Sequence, residues 1–489
     1  MKVLFVVADL SFGEPLGIMA LSAICKRSGH TVHMMALNNH DIVASLDGFQ
    51  PDIVGYSTMS PDAQFFADND VKVREWSVCT GKKIVRVMGG AHPTFFPEVM
   101  DQLRLDAVCQ GEGDWAILRI IEAVASGKSL DGIPNLITPT QRTLIKEVVD
   151  DLDSLPFPDR RIFFETDPEL IHSGMRSFMT QKGCPFKCTY CFNHLYNNMF
   201  KGEGRNLFRR RSVESVLSEI KHVCQEYPEV RFIRFQDDSF VWKRDDPWLV
   251  EFAERYSKEI GIPFYCLIRA DVITERVAAL LAQAGCWSVG MSLEAGNERL
   301  RDVVLKREMS DEKVREGFAI ARKHGLHITS NTILGIPGTT LDEDFQSVMM
   351  ARSLKATTNQ FTIFAPYPRT ELTEYAQSLG VLDKEYNFSE LSPYGTSMLN
   401  SYTDREKVIQ RNLCFLGPLI CRAPAFLVPI LKRMTYINLP RFYSFFGTIY
   451  IAYILSSRIF PGIRPRGVVH LARGVVRAIQ FYLVKPSEK

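Results

Sequence analysis

Cys184, Cys188 and Cys191 lie on one short stretch, Cys184-Pro-Phe-Lys-Cys188-Thr-Tyr-Cys191, with gaps of three and then two residues between them. Thiolates are soft ligands that suit zinc and iron–sulfur clusters. A structural zinc site closes on four ligands, and this loop offers three. Three thiols on one loop can instead hold three irons of a [4Fe–4S] cube, leaving the fourth iron open. An open iron can bind a small molecule and pass it one electron. Taken alone, the triplet also reads as a zinc knuckle or as buried cysteines without metal.

The elements that must position such a loop follow a β/α alternation. Strands are expected at Ser177–Thr180, Val230–Gln236, Phe264–Ile268, Ser288–Leu293, His327–Leu334 and Asn359–Phe364, with helical patterns such as Ser212–Val223 between them. Polar groups gather at the strand ends: Asp237-Asp238-Ser239, Arg269, Ser292-Leu-Glu294-Ala-Gly296 and Gly335-Ile-Pro-Gly338-Thr-Thr340. Asp342-Glu-Asp344 reads as a helix start. Six such units suggest a partial (β/α)6 barrel, and barrels of this kind place chemistry beyond the strand ends. Arg209-Arg-Arg-Ser212 reads as a solvated basic face, with contact to an anionic ligand as the alternative.

A separate α/β domain precedes it, expected over residues 1–140. Its strands are read at Lys2–Ala8, Thr31–Leu37, Asp52–Thr58, Lys83–Met88 and Ala107–Gln110, short and nearly continuously apolar as in a parallel sheet covered on both faces. Ligands bind such open sheets at the carboxyl ends of the strands. Those ends are Asp9–Pro15, Ser57–Asp62, Gly89–Thr94 and Gly111–Asp114. No G-x-G-x-x-G follows the first strand, which disfavours a dinucleotide. Asp151–Arg160, with two prolines, reads as part of an inter-domain linker over 141–176.

Cys-x3-Cys-x2-Cys with Tyr190 before the last cysteine resembles the signature of radical S-adenosylmethionine (SAM) enzymes. The phrases Glu14-Pro-Leu-Gly-Ile18, Gly29-His-Thr-Val32, Pro51-Asp-Ile-Val-Gly55, Gly89-Gly-Ala-His-Pro-Thr94 and Gly111-Glu-Gly113 resemble the cobalamin (B12)-binding domain found before many of them. The resemblance implies a Rossmann-like domain, a partial barrel over 177–395, and a [4Fe–4S] cluster on Cys184, Cys188 and Cys191. It places SAM against Tyr190, Asp237, Asp238, Arg269, Ser292, Glu294 and the backbone at Gly335. A salt bridge is the alternative role for Arg269. It places cobalamin against Ser57, Thr58, Gly89, Gly90, His92, Gly111 and Glu112. Asp-x-His-x-x-Gly, which carries the lower cobalt ligand in other B12 proteins, is absent; His92 is a candidate ligand whose plainer role is to order its own loop.

The mechanism implied is methylation of cobalamin by one SAM and reductive cleavage of a second, whose radical prepares an unactivated carbon for the methyl group. A tetrapyrrole or lipid cyclase with the same cofactors, a radical SAM enzyme without cobalamin, and a non-catalytic binding protein of the same fold are the alternatives. Methylthiotransferases use three N-terminal cysteines for a second cluster, and Cys25, Cys79 and Cys109 match that poorly.

The chain has 489 residues and a net charge of +2. That balance hides an asymmetry: from Lys407 onward there are 13 Lys or Arg and one acid, Glu488. The region 396–489 is expected to be helical, basic and apolar, either capping the barrel mouth or making peripheral membrane contact through runs such as Phe442–Ser456. No leader pattern opens the chain, and only three of the 11 cysteines cluster. The expectation is a reducing cytosolic setting, with membrane association through this region. The expected partners are a small, hydrophobic substrate and an external one-electron reductant, and no nucleic acid.

Overall fold

A computed structural model describes residues 1–10, 13–200, 207–387 and 391–461. The chain forms two compact units. One is Met1–His172 with the described residues of Phe200–Arg211. The other is built from Ser173–Met199, Ser212–Tyr386 and the described part of Leu391–Lys489.

In the first unit the strands are β1 (Lys2–Val7), β2 (Thr31–Ala36), β3 (Ile53–Ser57), β4 (Val85–Gly89), β5 (Ala107–Cys109) and β6 (Leu136–Ile137). Their spatial order is β2-β1-β3-β4-β5-β6, parallel except for the β5–β6 pair. The chain therefore runs outward from β1 in both directions, and the crevice at the carboxyl ends of β1 and β3 is where such sheets take ligands. Leu4, Val6, Val54, Tyr56, Met88 and Val108 share one core with Phe66, Val73 and Trp76. A polar clamp joins β3 to β4 inside it. Fully buried Asp70 accepts from the Tyr56 hydroxyl at 2.8 Å and from Arg86 Nη1 at 2.7 Å.

The five strands expected here form with boundaries shifted by one or two residues, and β6 is additional. The segment expected to be a linker carries a helix, Arg160–Thr166, held to the first unit. Arg160 pairs with Glu14 at 2.9 Å, and the Thr166 hydroxyl donates to the Met34 carbonyl at 3.0 Å. The prolines at 156 and 158 mask it, because they end just before its start.

The second unit has β7 (Met175–Phe178), β8 (Phe232–Phe235), β9 (Phe264–Leu267), β10 (Cys286–Gly290), β11 (His327–Leu334) and β12 (Thr358–Ile363). All pairs are parallel and adjacent in chain order, with β7 and β12 at the edges, as a partial barrel requires. One face is apolar: Phe235 packs on Phe240, Phe252, Tyr256 and Phe264 with ring centroids 4.8–6.4 Å apart. The register puts Ser177, Arg234, Tyr265, Ser288, Thr329, Asn331 and Gln360 on the other face.

The C-terminal region is helical over Asp404–Arg422, Val428–Met434 and Pro440–Ile454. Gly417 lets the first of these press on β12, since a Cβ there would lie 2.5 Å from Phe361 Cδ2. Leu455–Phe460 then fills the amino end of the polar face. Phe460 stacks edge-on to Tyr265 at 4.9 Å, and the Ser288 hydroxyl donates to the Ile459 carbonyl at 2.7 Å. This segment closes the end away from the strand-end loops. The expected basic segment over 462–489, including Arg464, Arg466, Arg473 and Arg477, lies outside the described residues.

Asp70→Ala should cost about 3–5 kcal/mol, because it leaves the Arg86 guanidinium and the Tyr56 hydroxyl buried without their acceptor. Denaturant unfolding of the first unit's transition measures this; a change below about 0.5 kcal/mol would remove the clamp from the account.

Candidate active site

The thiol-bearing loop leaves the carboxyl end of β7 and is fixed from three sides. Thr189 N–H donates to the Leu305 carbonyl at 3.2 Å and its hydroxyl to the Val304 carbonyl at 2.7 Å. Leu372 N–H donates to the Thr189 carbonyl at 3.1 Å, and Asn197 Nδ2 to the Cys184 carbonyl at 2.8 Å. Cys191 N–H donates to the Cys188 carbonyl at 3.1 Å, which tightens the turn between the second and third thiols. Burial pushes the Cys184 thiol up to about 12 and that of Cys191 to about 11, with the neighbouring thiols adding to each shift. Bare thiolates are therefore disfavoured without a cation beside them, and the free thiols stay protonated.

Among the described residues, no group of three or more His, Cys, Asp or Glu side chains is set to hold a metal ion. Three soft donors suit a cluster that spreads its ligands over several irons. Asp238, whose charge acts on Cys184 and Cys191, is a hard donor hydrogen-bonded to Asn193; burial raises its carboxyl above the usual range.

A buried polar cluster stands behind the loop. The Tyr190 hydroxyl donates to Glu294 Oε1 at 2.9 Å. Arg307 Nη1 donates to the same carboxylate at 3.2 Å and to the Tyr190 oxygen at 2.6 Å, and its Nη2 donates to the Ser292 carbonyl at 3.2 Å. Glu294 adopts φ 64°, a left-handed conformation that costs a residue with a side chain roughly 1–3 kcal/mol. Two backbone bonds hold it there, Glu294 N–H to Asn331 O at 3.0 Å and Ile333 N–H to Glu294 O at 2.7 Å. Burial raises the Glu294 carboxyl, and Arg307, Tyr190 and Ser292 oppose the shift. Burial alone would lower the Arg307 pKa; Tyr190 and Glu294 beside it carry it upward, so it stays charged.

Arg269 sits over the Phe186 ring at 4.0 Å and donates through Nη1 to Cys188 Sγ at 3.8 Å. Its Nε and Nη2 form a two-pronged pair with Asp271 at 2.9 and 3.0 Å. It thus makes the salt bridge that was its alternative role while touching the thiol loop.

The structure separates the two acids after β8. Asp237 is fully buried and accepts from Thr180 N–H at 2.8 Å, the Thr180 hydroxyl at 2.9 Å and Gln181 N–H at 3.0 Å. Its oxygens hold the start of the thiol loop. Asp238 alone lies beside the thiols.

Gly335, with φ 65°, opens the loop after β11. Its N–H donates to Asp344 Oδ1 at 2.8 Å, and Gln410 Nε2 donates to Asp344 Oδ2 at 2.7 Å. Thr340 and Glu343 form the capping box that starts the helix Leu341–Leu354, which frees Asp344 to turn inward. Burial raises the Asp344 carboxyl to about 7. Further along the loop, the Tyr402 hydroxyl donates to the Thr339 carbonyl at 2.9 Å. Buried acceptors without partners, Gln181 Oε1 and Asn331 Oδ1, remain in this unit for a polar ligand.

In the first unit, Ser57, Thr58, Gly89 and Gly90 lie together at the carboxyl ends of β3 and β4. Thr58 N–H donates to the Gly89 carbonyl at 2.9 Å. Gly90 has φ 97°, and a Cβ there would lie 2.8 Å from the Thr58 oxygen. Thr58 Oγ1 is buried without a partner, which fits a polar ligand at this edge. Gly111 N–H donates to the Thr94 hydroxyl at 3.1 Å.

Two residues expected to touch cobalamin are occupied otherwise. His92 is 5% exposed, stacks on Phe96 at 5.3 Å and meets the Ser60 hydroxyl at 3.2 Å. Burial lowers its pKa to about 4, and it orders its own loop. Glu112 accepts from Val149 N–H at 2.8 Å and from Arg209 Nη1 at 3.1 Å. Arg209 is therefore neither a solvated charge nor an open anion contact; it is a buried partner of Glu112.

Arg307, Asp271, Gln410 and Tyr402 were not singled out from sequence. Lys306-Arg307 reads locally as an exposed charge pair; the signal for its inward turn is the left-handed backbone at Lys306 and Glu308, which no residue type announces.

Residues 178–349 match the model of the radical SAM superfamily, and residues 3–121 match that of the B12 binding domain. The chain is 28% identical to an uncharacterized methyltransferase of Pyrococcus horikoshii, over 74% of this chain and 78% of that protein. It is 24% identical to the anaerobic magnesium-protoporphyrin IX monomethyl ester cyclase of Rubrivivax gelatinosus, over 79% and 72%. The fold is shared with TsrM, a radical SAM methyltransferase of Kitasatospora setae solved with cobalamin and a [4Fe–4S] cluster bound, at a TM-score of 0.67 and 15% identity over 98% of this chain and all of that one.

Arg307→Met should leave Glu294 and Tyr190 buried without their cation. The expected cost is about 3–5 kcal/mol of stability by chemical denaturation; wild-type stability would contradict the cluster's role. For Asp344, the folded carboxyl near 7 lies above its ordinary 3.8, so folding takes up a proton between these values. Its contribution to stability should fall as pH rises from about 4 to about 7. Asp344→Asn should flatten that part of a melting-temperature profile, and an unchanged slope would contradict the assignment.

Proposed function

Because the chain belongs to the radical SAM enzymes that carry a B12-binding domain, we propose that it is a cobalamin-dependent methyltransferase acting on an unactivated carbon of a small, hydrophobic molecule. The observation that carries this reading is the presence, in one chain, of both kinds of site. A three-thiol loop lies at the carboxyl edge of the second unit's sheet, and the first unit's sheet has the β2-β1-β3-β4-β5-β6 order with the partnerless Thr58 hydroxyl at its carboxyl edge. When bound, the [4Fe–4S] cluster supplies the electron that splits SAM, and cobalamin carries the methyl group.

The chain's own work is to bind, orient and exclude water. Cys184, Cys188 and Cys191 would hold the cluster, with Arg269 setting a fixed cation against Cys188. Asp238 would accept from the SAM ammonium, and Glu294 with Ser292 from ribose hydroxyls, since a carboxylate can take two hydrogen bonds at once. The backbone at Gly335, pinned by Asp344, would border the adenine. Ser57, Thr58, Gly89, Gly90 and Gly111 would line cobalamin, with His92 and Glu112 holding that edge in shape. An external one-electron reductant and a reducing cytosolic setting with peripheral membrane contact complete the reading.

The likeness to the magnesium-protoporphyrin cyclase supports a second reading, with the same cofactors and no methyl transfer. Product analysis of the anaerobically reconstituted protein with cobalamin, SAM and reductant separates the two. Methyl transfer predicts both S-adenosylhomocysteine and 5′-deoxyadenosine. 5′-Deoxyadenosine alone would favour the cyclase reading, and neither product would overturn catalysis altogether.

A further inference from the structure

The helix Pro440–Ile454 is apolar on both its buried and its exposed side. Its buried side carries Tyr443, Ile451 and Ile454 together with Ser444, Gly447 and Thr448, set so close to the helix Asp404–Arg422 that a Cβ on Gly447 would lie 2.6 Å from Phe415 Cβ. Its outer side is a stripe of Phe442, Phe445, Phe446, Ile449 and Tyr453, three or four residues apart, with Phe442 52%, Phe446 53% and Tyr453 66% exposed. Helices in water bury such side chains and expose small polar ones. A close contact through Ser444, Gly447 and Thr448 with large apolar side chains turned outward is found where a helix meets hydrocarbon. Phe426 and Ile430, 74% and 54% exposed, extend the apolar surface of this region. Exposed apolar groups gathered in this way mark an interaction site.

Charge selects what covers it. Arg422, Lys432, Arg433, Arg441 and Arg458 punctuate this stretch, and no Asp or Glu occurs from Lys407 to Ser487. The remaining chain, 462–489, is itself cationic, with six Lys or Arg and one acid. Neither that segment nor a second copy of this face offers the missing negative charge. At 15 residues the helix is about 22 Å long, short of the roughly 30 Å hydrocarbon core, and no helix among the described residues is long and apolar enough to cross a membrane. We infer that this face docks in the plane of a bilayer surface containing anionic phospholipid, its aromatic stripe in the headgroup–acyl boundary and its cations against the lipid phosphates.

The inference is independent of the methyl-transfer reading, because none of these residues belongs to the sites described above. The test is sedimentation of the full-length, anaerobically purified protein with phosphatidylcholine vesicles and with an equal mixture of phosphatidylcholine and phosphatidylglycerol. The expected result is at least about tenfold tighter binding to the anionic vesicles, weakened by added salt. Phe442→Ser combined with Phe446→Ser should reduce it at least about tenfold with iron content and melting temperature unchanged. Any of four results would overturn the inference: no sedimentation; equal binding to neutral vesicles; wild-type binding by the double variant, which would assign lipid contact to residues after 461; or a concentration-dependent dimer that the double variant abolishes.

Discussion

Half-buried Tyr190 is held between the buried Glu294 carboxylate and the buried Arg307 guanidinium, and it lies between Cys188 and Cys191 in the chain. A buried acid, phenol and cation tolerate only arrangements in which each finds its partners. Fixing Tyr190 therefore fixes the loop that carries the three thiols. The same cluster explains why Glu294 stays in a strained backbone conformation at the end of β10: its side chain must reach Tyr190 and Arg307 together. The site is rigid because its parts are costly to leave unpaired, and rigidity is what a loop needs to present a preformed set of soft donors.

The C-terminal region works at both ends of the second sheet. Gln410 and Tyr402 reach the loop after β11, one through Asp344 and the other directly at Thr339. Leu455–Phe460 occupies the amino end of the polar face. The strand-end loops are thus braced by a region whose apolar helix face is turned outward. The two roles use different residues of the same region, and the Gly417 and Gly447 contacts show how closely its helices are pressed onto the sheet and each other.

Much of this was legible in the sequence, for physical reasons that can be named. The strands showed because buried parallel strands are short, nearly continuous apolar runs; His327–Leu334 was read with its boundaries unchanged. The thiol triplet showed because its ligands are adjacent in the chain. What failed to show were partners far apart in sequence. Arg209 looks like one of three solvated arginines, yet it meets Glu112 from 97 residues away. Asp237 and Asp238 are identical neighbours on paper, but strand geometry buries the first in the backbone of Thr180 and Gln181 and leaves the second beside the thiols. Asp344 passes for one of three helix-start acids until Thr340 and Glu343 take the cap and leave it to Gly335.

The central claim is that the loop holds a cluster with one iron left without a protein ligand. Mössbauer spectroscopy of the 57Fe-reconstituted, anaerobic protein with and without SAM tests it most directly. With one iron open, SAM should shift the signal of one iron in four and leave the other three in place. A spectrum that SAM does not change, or one showing four equivalent irons, would mean that a protein group such as Asp238 closes the site, and would contradict it.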